Sequence, residues 1–523
     1  MGKLACDVRN LLTRDEPLGP IVQEDINDVF ADELLDDQIT LFRNIASDPH
    51  LLFLGRKGSG KSAMLAEMRL STLRRGRGIT APADLPPPGI DFVLQVNSFP
   101  HFHQIVKNVY IESQGERLPA EYIPPEYFAE LWKASLWEEI VNYFYEFARY
   151  EEVREILEPV DAFVNAETSW VGPATQAAER LLDAAKSAVI DFLELRQSKF
   201  YFLFDSMENY PVRSPMFSRV LSGMFPAMRE ISHATTRIII SFCVPEEVES
   251  FLMAGSSNLL KDFASSFRIR WKPIDLISIV AHRLRASAKI HDPLVFQAWS
   301  DLDFTNRKDL HKIFSAVLPP AVTNAHGIRE DPIAYAIRHT QLLPRHILLI
   351  FNIALSEQLR RAGTLTGMTE DVLRKGVSDA QRIIADQIFA PYKLLYPKLL
   401  AQGKKILPDL EPICSYRALR QVEGRFSRLV EEDITSVWHT SYEMGVLGRS
   451  TGPKGDTHHS SANSQSFCYG QFHFNAEMDF GFATDGEYCF HPVFSRAFGM
   501  IRRNNNDSRV VYPANINLED VYA

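Results

Sequence analysis

The octapeptide Gly55-Arg56-Lys57-Gly58-Ser59-Gly60-Lys61-Ser62 constrains this chain more than any other feature. Glycines at those spacings let successive backbone N–H groups converge on an anion, where a side chain would not fit. The residues on either side supply the rest of the context. Leu51-Leu52-Phe53-Leu54 is a continuous apolar run that reads as a buried strand, and Ala63 to Leu70 reads as a helix. A loop between strand and helix turns the positive helix N-terminus on whatever the loop holds. Gly55 through Ala63 therefore form a candidate phosphate cradle. Lys61 brings a point charge to the β- and γ-phosphates, and Ser62 offers a hydroxyl to Mg²⁺. The ligand this pattern implies is ATP, or GTP, with Mg²⁺.

Further strands follow at Phe92–Asn97, Phe200–Phe204, Arg237–Phe242 and Phe267–Trp271, with helical patterns at 127–150 and 174–196 between them. Strands alternating with helices predict an α/β fold, a P-loop NTPase core whose parallel sheet is covered by helices. From Pro273 to Ala390 the pattern is helical and predicts a lid. Beyond it, helices at 416–429 and 431–447 precede a polar loop, Ser450 to Ser466, and aromatic strands are expected at 467–474 and 487–491. A chain of 523 residues exceeds one hydrophobic core. The expected division is an acidic helical segment 1–45, a nucleotide-binding core 46–272, a helical lid 273–395 and a C-terminal domain 396–523.

Asp205 closes the run Phe200–Phe204. A strand-terminal carboxylate suits the Mg²⁺ shell, so Asp205 joins Ser62 as a candidate metal residue; a plain capping aspartate is the other reading. Glu208 follows in Asp205-Ser206-Met207-Glu208 and either orients the attacking water or is a first-turn helix acid. Ser241 and Cys243 end the next predicted strand, where Ser241 is either a γ-phosphate sensor or a buried strand residue. Arg345, after Pro344 at a predicted helix start, is either a lid arginine swinging toward phosphate or a surface cation. Arg268 reads better as an edge-strand charge than as an arginine finger.

Net charge is −10, so the overall field does not draw the chain to nucleic acid and any DNA contact needs a local basic patch. Arg417, Arg420, Arg425 and Arg428 are the best such cluster, and a solvated helix face accounts for them more simply. Lys454, His458 and His459 lie in the polar loop; two adjacent histidines there lack the partners of a zinc site. Five scattered cysteines without a C-x-x-C pair fit a reducing cytoplasm. No apolar run reaches the roughly 18 residues that cross a bilayer, so no membrane role is expected.

Taken in order, Gly55–Ala63, Asp205 with Glu208, Ser241 and Pro344-Arg345 resemble the AAA+-like STAND and origin-recognition-type ATPases. The likeness extends to an uncharacterised bacterial P-loop ATPase family often found near defence genes, through Phe267–Trp271, Tyr442–Gly448 and His491-Pro492-Val493-Phe494. The resemblance implies a nucleotide site of Lys61, Ser62, Asp205 and Glu208, with Ser241 as sensor and Arg345 as lid arginine, and a winged-helix-like C-terminal domain over 396–523. It also implies a switch that controls assembly, as a homo-oligomer or through a separate effector, plausible in anti-phage defence. A DNA-binding ATPase of the origin-recognition or transposition-helper type is the alternative. AAA+ relatives place Glu directly after the strand-terminal Asp, where this chain has Ser206. That departure predicts slow turnover.

Overall fold

In the computed structural model, the described residues are 12–21, 52–74, 78–79, 85–96, 125–166, 176–205, 215–247, 249, 266–304, 306–395, 405, 407–429, 437–451, 467–475, 486–497, 499–500 and 509–513. They fall into two compact units. One comprises residues 41–56 and 61–269, and the other residues 1–40, 57–60 and 270–523. Of the acidic helical segment expected over 1–45, only residues 12–21 are described, and they form turns and bends, not a helix; the rest lies outside the described residues.

The first unit opens with β1 (Leu52–Gly55), α1 (Lys61–Arg74), β2 (Gly78–Ile79) and β3 (Asp91–Val96). Helices α2 (Pro125–Tyr145), α3 (Glu151–Asn165) and α4 (Gln176–Leu195) lead to β4 (Phe200–Phe204). Helix α5 (Pro215–Ala234), β5 (Ile238–Pro245) and β6 (Ser266–Arg268) complete it. The strands form one sheet in the order β2-β3-β4-β5-β1-β6. Every described pairing in it is parallel. Parallel sheets bury both faces, which is why β1, β4 and β5 are nearly continuous apolar runs. One face is an aromatic cluster: the Phe92 ring lies 5.4 Å from Phe144 and 5.2 Å from Phe147, and Phe200 lies 5.2 Å from Phe144.

Some boundaries differ from expectation. The predicted helix 127–150 ends at Tyr145, and a separate amphipathic helix, α3, follows. The strand expected to end near Phe242 runs on to Pro245, because Val244 and Pro245 still pair with Leu54 and Gly55. The strand expected over 267–271 stops at Arg268.

In the second unit, the segment 12–21 is stapled to a helical region. Arg283 donates to the Leu18 and Pro20 carbonyls (3.1 and 2.7 Å), while Asn352 clamps the Leu18 N–H and the Gly19 carbonyl (2.7 and 2.9 Å). Full burial pulls the Arg283 guanidinium down to about 10. The region contains α6 (Pro273–His291), α7 (Pro293–Ala298), α8 (Arg307–Val317), α9 (Pro332–Ile337), α10 (Pro344–Ala362), α11 (Glu370–Phe389) and α12 (Tyr392–Leu395). It is not purely helical, since β7 (Val322–Thr323) and β8 (Arg329–Glu330) form a short antiparallel hairpin before α9. Helices α10 and α11 approach closely because Gly376 faces Ala354, where a β-carbon would meet the Ala354 Cβ at 2.7 Å.

The C-terminal part holds β9 (Ile413–Ser415), α13 (Tyr416–Leu429), α14 (Val437–Glu443), β10 (Leu447–Ser450), β11 (Phe467–Gln471), β12 (Glu487–Phe490), α15 (Pro492–Ala497) and β13 (Val510–Pro513). A strand, two helices and an antiparallel β10–β11 hairpin give the winged-helix-like arrangement, enlarged to a sheet in the order β13-β11-β10-β12-β9. The helix expected over 431–447 is described only from Val437 to Glu443. Gly445, at φ +69°, turns the chain, and Leu447 already belongs to a strand. Most of the polar loop, including Lys454, His458 and His459, lies outside the described residues.

The motif His491-Pro492-Val493-Phe494 joins this sheet to the helices. His491 Nε2 donates to the Thr340 carbonyl (3.0 Å), and Phe494 packs edge-on to Phe389 at 5.6 Å. The Gln341 amide donates to the Met444 and Gly445 carbonyls (2.9 and 3.1 Å).

Candidate nucleotide-binding site

Gly58 and Gly60 both stand at φ +88°, a conformation that side chains resist, and α1 begins immediately after them at Lys61. The backbone therefore turns at both glycines just ahead of a helix N-terminus, as the glycine spacing asks. Lys61 is 5% exposed, and its ammonium donates to the Gly55 and Arg56 carbonyls at 3.2 and 3.3 Å. Ser62 and Ala63 are half-buried in the first turn of α1.

Asp205 sits one residue past β4, buried, with its N–H bound to the Val96 carbonyl (3.0 Å). Through the register of β4, β5 and β1, Asp205 is level with Cys243 and Phe53, so it stands toward the sheet edge at which β1 ends in Gly55. Ser241 pairs with Leu203, two residues short of the level of Asp205 in the same register; it is fully buried and lies four residues before the end of β5. Glu208 lies outside the described residues. Arg268 is held by carboxylates of its own chain, Glu246 at 2.5 Å and Glu249 at 2.7 Å, a geometry that favours the edge-strand reading.

The loop tip, residues 57–60, groups with the helical unit. Two contacts within that unit account for this. The Trp271 indole N–H donates to the Ser59 carbonyl at 2.7 Å. Arg345, second residue of α10, lays its stem over Gly58: a β-carbon built on Gly58 would be 3.2 Å from the Arg345 Cβ and 3.3 Å from its Cδ. Among the described residues, the buried Arg345 Nε and the buried Ser59 hydroxyl have no hydrogen-bond partner. Sequence reasoning placed Arg345 at a helix start but missed Trp271, which it assigned to a strand. The available signal was that a buried tryptophan needs an acceptor for its indole N–H.

These residues fit a bound phosphate and its cation. Ser59 offers an orphaned buried hydroxyl beside the backbone cradle, and Ser62 and Asp205 are hard oxygen donors of the kind Mg²⁺ takes. Among the described residues there is no group of three or more His, Cys, Asp or Glu side chains that could hold a metal ion. On α13, Arg417 and Arg420 are exposed, and Arg420 pairs with Glu423 on the same helix. The side chains of Arg425 and Arg428 lie outside the described residues. No described helix is long and apolar enough to cross a membrane.

The glycine loop between β1 and α1, the parallel sheet and the buried strand-end aspartate define a P-loop NTPase core, and the chain continues into a helical region and a winged-helix-like sheet. No family model matches the chain, and no curated protein matches it in sequence. Among solved structures, it is similar to the Aeropyrum pernix ORC2 protein in its ADPNP–ADP complexes, at 12% identity over 88% of this chain and 89% of that one, with a TM-score of 0.38. The ADP form of the same protein gives 10% identity over 81% and 87%, with a TM-score of 0.32. Likenesses this faint say nothing about function.

Proposed function

We propose that the chain is an AAA+-like ATP-binding switch, in which nucleotide on the glycine loop is read by the helical region through Arg345 and Trp271. The observation that carries this reading is the Gly58–Arg345 contact, which sets a cation with an unpartnered Nε directly on the loop. In this reading Lys61 and the loop N–H groups hold the phosphates. Ser62 and Asp205 hold Mg²⁺, which neutralises phosphate charge when bound. Ser241 acts through the position of β5, which lies between β1 and β4. Glu208 is the candidate base, and Ser206 after Asp205 makes turnover slow.

The output is assembly with further copies or with a separate effector in the cytoplasm, in the bacterial anti-phage setting that the resemblance implies. A DNA-binding role of the origin-recognition type has the winged-helix-like sheet in its favour. Arg420, however, is engaged by Glu423 on its own helix. Measuring ATP turnover and Mg²⁺-dependent binding for Asp205→Asn and Glu208→Gln tests the site. Asp205→Asn should weaken Mg²⁺-dependent binding, and Glu208→Gln should bind normally and stall. Parent-like turnover in both variants would remove these carboxylates from the mechanism.

A further inference from the structure

Trp271, whose indole holds the Ser59 carbonyl at 2.7 Å, has a neighbour that reaches elsewhere. Arg270 donates from Nη1 to the Phe474 carbonyl (3.2 Å), in the turn His473–Asn475 that follows β11. All four residues belong to the second unit. We propose that Arg270 is a positioning residue for the glycine loop: anchored to the C-terminal sheet, it aims the Trp271 indole at Ser59 and so fixes one peptide of the phosphate cradle.

Three observations lead there. First, the Ser59–Gly60 peptide is trans, so its C=O and N–H point in opposite directions. An indole that holds the Ser59 carbonyl therefore decides where the Gly60 N–H points. The loop does not settle this by itself, because a glycine such as Gly60, here at φ +88°, takes either sign of φ readily. Second, Arg270 and Trp271 lie between the end of β6 at Arg268 and the start of α6 at Pro273, where the backbone is neither strand nor helix. Side-chain contacts brace such a connector, and these two go to separate segments, the loop tip and the turn after β11.

Third, the acceptor stands on a firm base. Asn475 Oδ1 accepts from the Phe472 N–H (2.7 Å), and the Asn475 N–H donates to the Phe472 carbonyl (3.0 Å). The Phe472 and Phe474 rings stack at 5.6 Å, and His491 packs edge-on to both, at 5.1 and 5.6 Å. Phe472 also lies against Gly448 of β10, where a β-carbon would meet its ring at 2.8 Å. The Phe474 carbonyl therefore moves with the sheet. Sheet and loop share one connector, and a shift of either is felt by the other. The consequence for ATP rests on the reading of the loop as a nucleotide site, whereas the order of the loop itself does not.

The test is amide hydrogen exchange of residues 57–60 in the full, nucleotide-free chain, with MgATP titrated calorimetrically into the same variants. Arg270→Met keeps the apolar stem and removes the donors, and because Arg270 is exposed the variant should fold. Its loop tip should exchange about fivefold faster, as for the loss of one hydrogen bond, and it should bind MgATP about fivefold more weakly. Arg270→Lys keeps a donor at similar reach and should match the parent in both. If Arg270 acts through the indole, the double variant with Trp271→Phe should exchange no faster than Trp271→Phe alone. Should Arg270→Met fail to fold, Arg270→Gln, too short to reach Phe474, decides in its place. Parent-like exchange in Arg270→Met, equal loosening in Arg270→Lys, or additive effects in the double variant would overturn the proposal. Faster exchange with parent-like MgATP affinity also overturns it, since Arg270 would then be a packing contact. A parent that binds no MgATP sinks the nucleotide reading, and exchange in the nucleotide-free chain still decides whether Arg270 holds the loop.

Discussion

Gly58 and Arg345 fit together so closely that a single methyl group on the glycine would stand 3.2 Å from the arginine Cβ. The contact is tight, and Gly58 also holds φ at +88°. Gly58→Ala therefore meets two penalties, backbone strain of roughly 1–3 kcal/mol and displacement of Arg345. We expect it to lower the melting temperature modestly and to weaken ATP binding at least tenfold, as calorimetry would show. Parent-like ATP affinity would mean that the loop does not need this shape.

Arg345→Ala separates binding from response. A ligand shifts a conformational equilibrium only by its differential affinity for the two states. If Arg345 touches phosphate only when the lid is closed, its removal should leave ADP affinity nearly intact and cut the compaction or assembly that ATP induces. Small-angle scattering and gel filtration with each nucleotide report both. Identical nucleotide responses in variant and parent would make Arg345 a packing residue.

Trp271→Phe keeps the ring volume and deletes the hydrogen bond to the Ser59 carbonyl. One neutral hydrogen bond contributes about 1 kcal/mol, so the fold should survive with a slightly lower melting point. The loop tip should exchange amide hydrogens faster at Gly58 to Gly60. Unchanged exchange there would show that the indole does not hold the loop.

His339 gives a pH signature. Burial, reinforced by Arg338, puts its folded-state pKa well below the ordinary histidine value. The unfolded chain then takes up a proton near pH 6.5 that the folded chain refuses. Stability from this residue is complete above that pH and is lost as pH falls below it, by up to about 1.4 kcal/mol per unit. Denaturation midpoints between pH 7 and 5 should fall more steeply for the parent than for His339→Gln, and parallel slopes would contradict this.

The nucleotide core was the most legible part of the chain because its signals are local. The β4 run Phe200–Phe204 is continuous, its aspartate is adjacent, and the glycine spacing of the loop is fixed by what phosphate needs. What stayed hidden depends on distant partners. Trp271 and Ser59 are 212 residues apart, and nothing near Trp271 in sequence shows that its indole leaves the strand for the loop. The β7–β8 hairpin was too short to interrupt a helical pattern, and Ser241 seemed to sit at a strand tip because the pairing of Val244 and Pro245 cannot be seen locally. Nor does anything near Arg270 show that its partner is the Phe474 carbonyl, 204 residues on.

Calorimetric titration of MgATP into the parent chain and into Lys61→Ala tests the central claim most directly. The lysine's charge-assisted contact with phosphate is worth roughly 1.5–3 kcal/mol, so the variant should bind about ten- to a hundredfold more weakly, with its fold unchanged by circular dichroism. Equal affinity in the two proteins, or no binding by the parent, would contradict a nucleotide site at this loop.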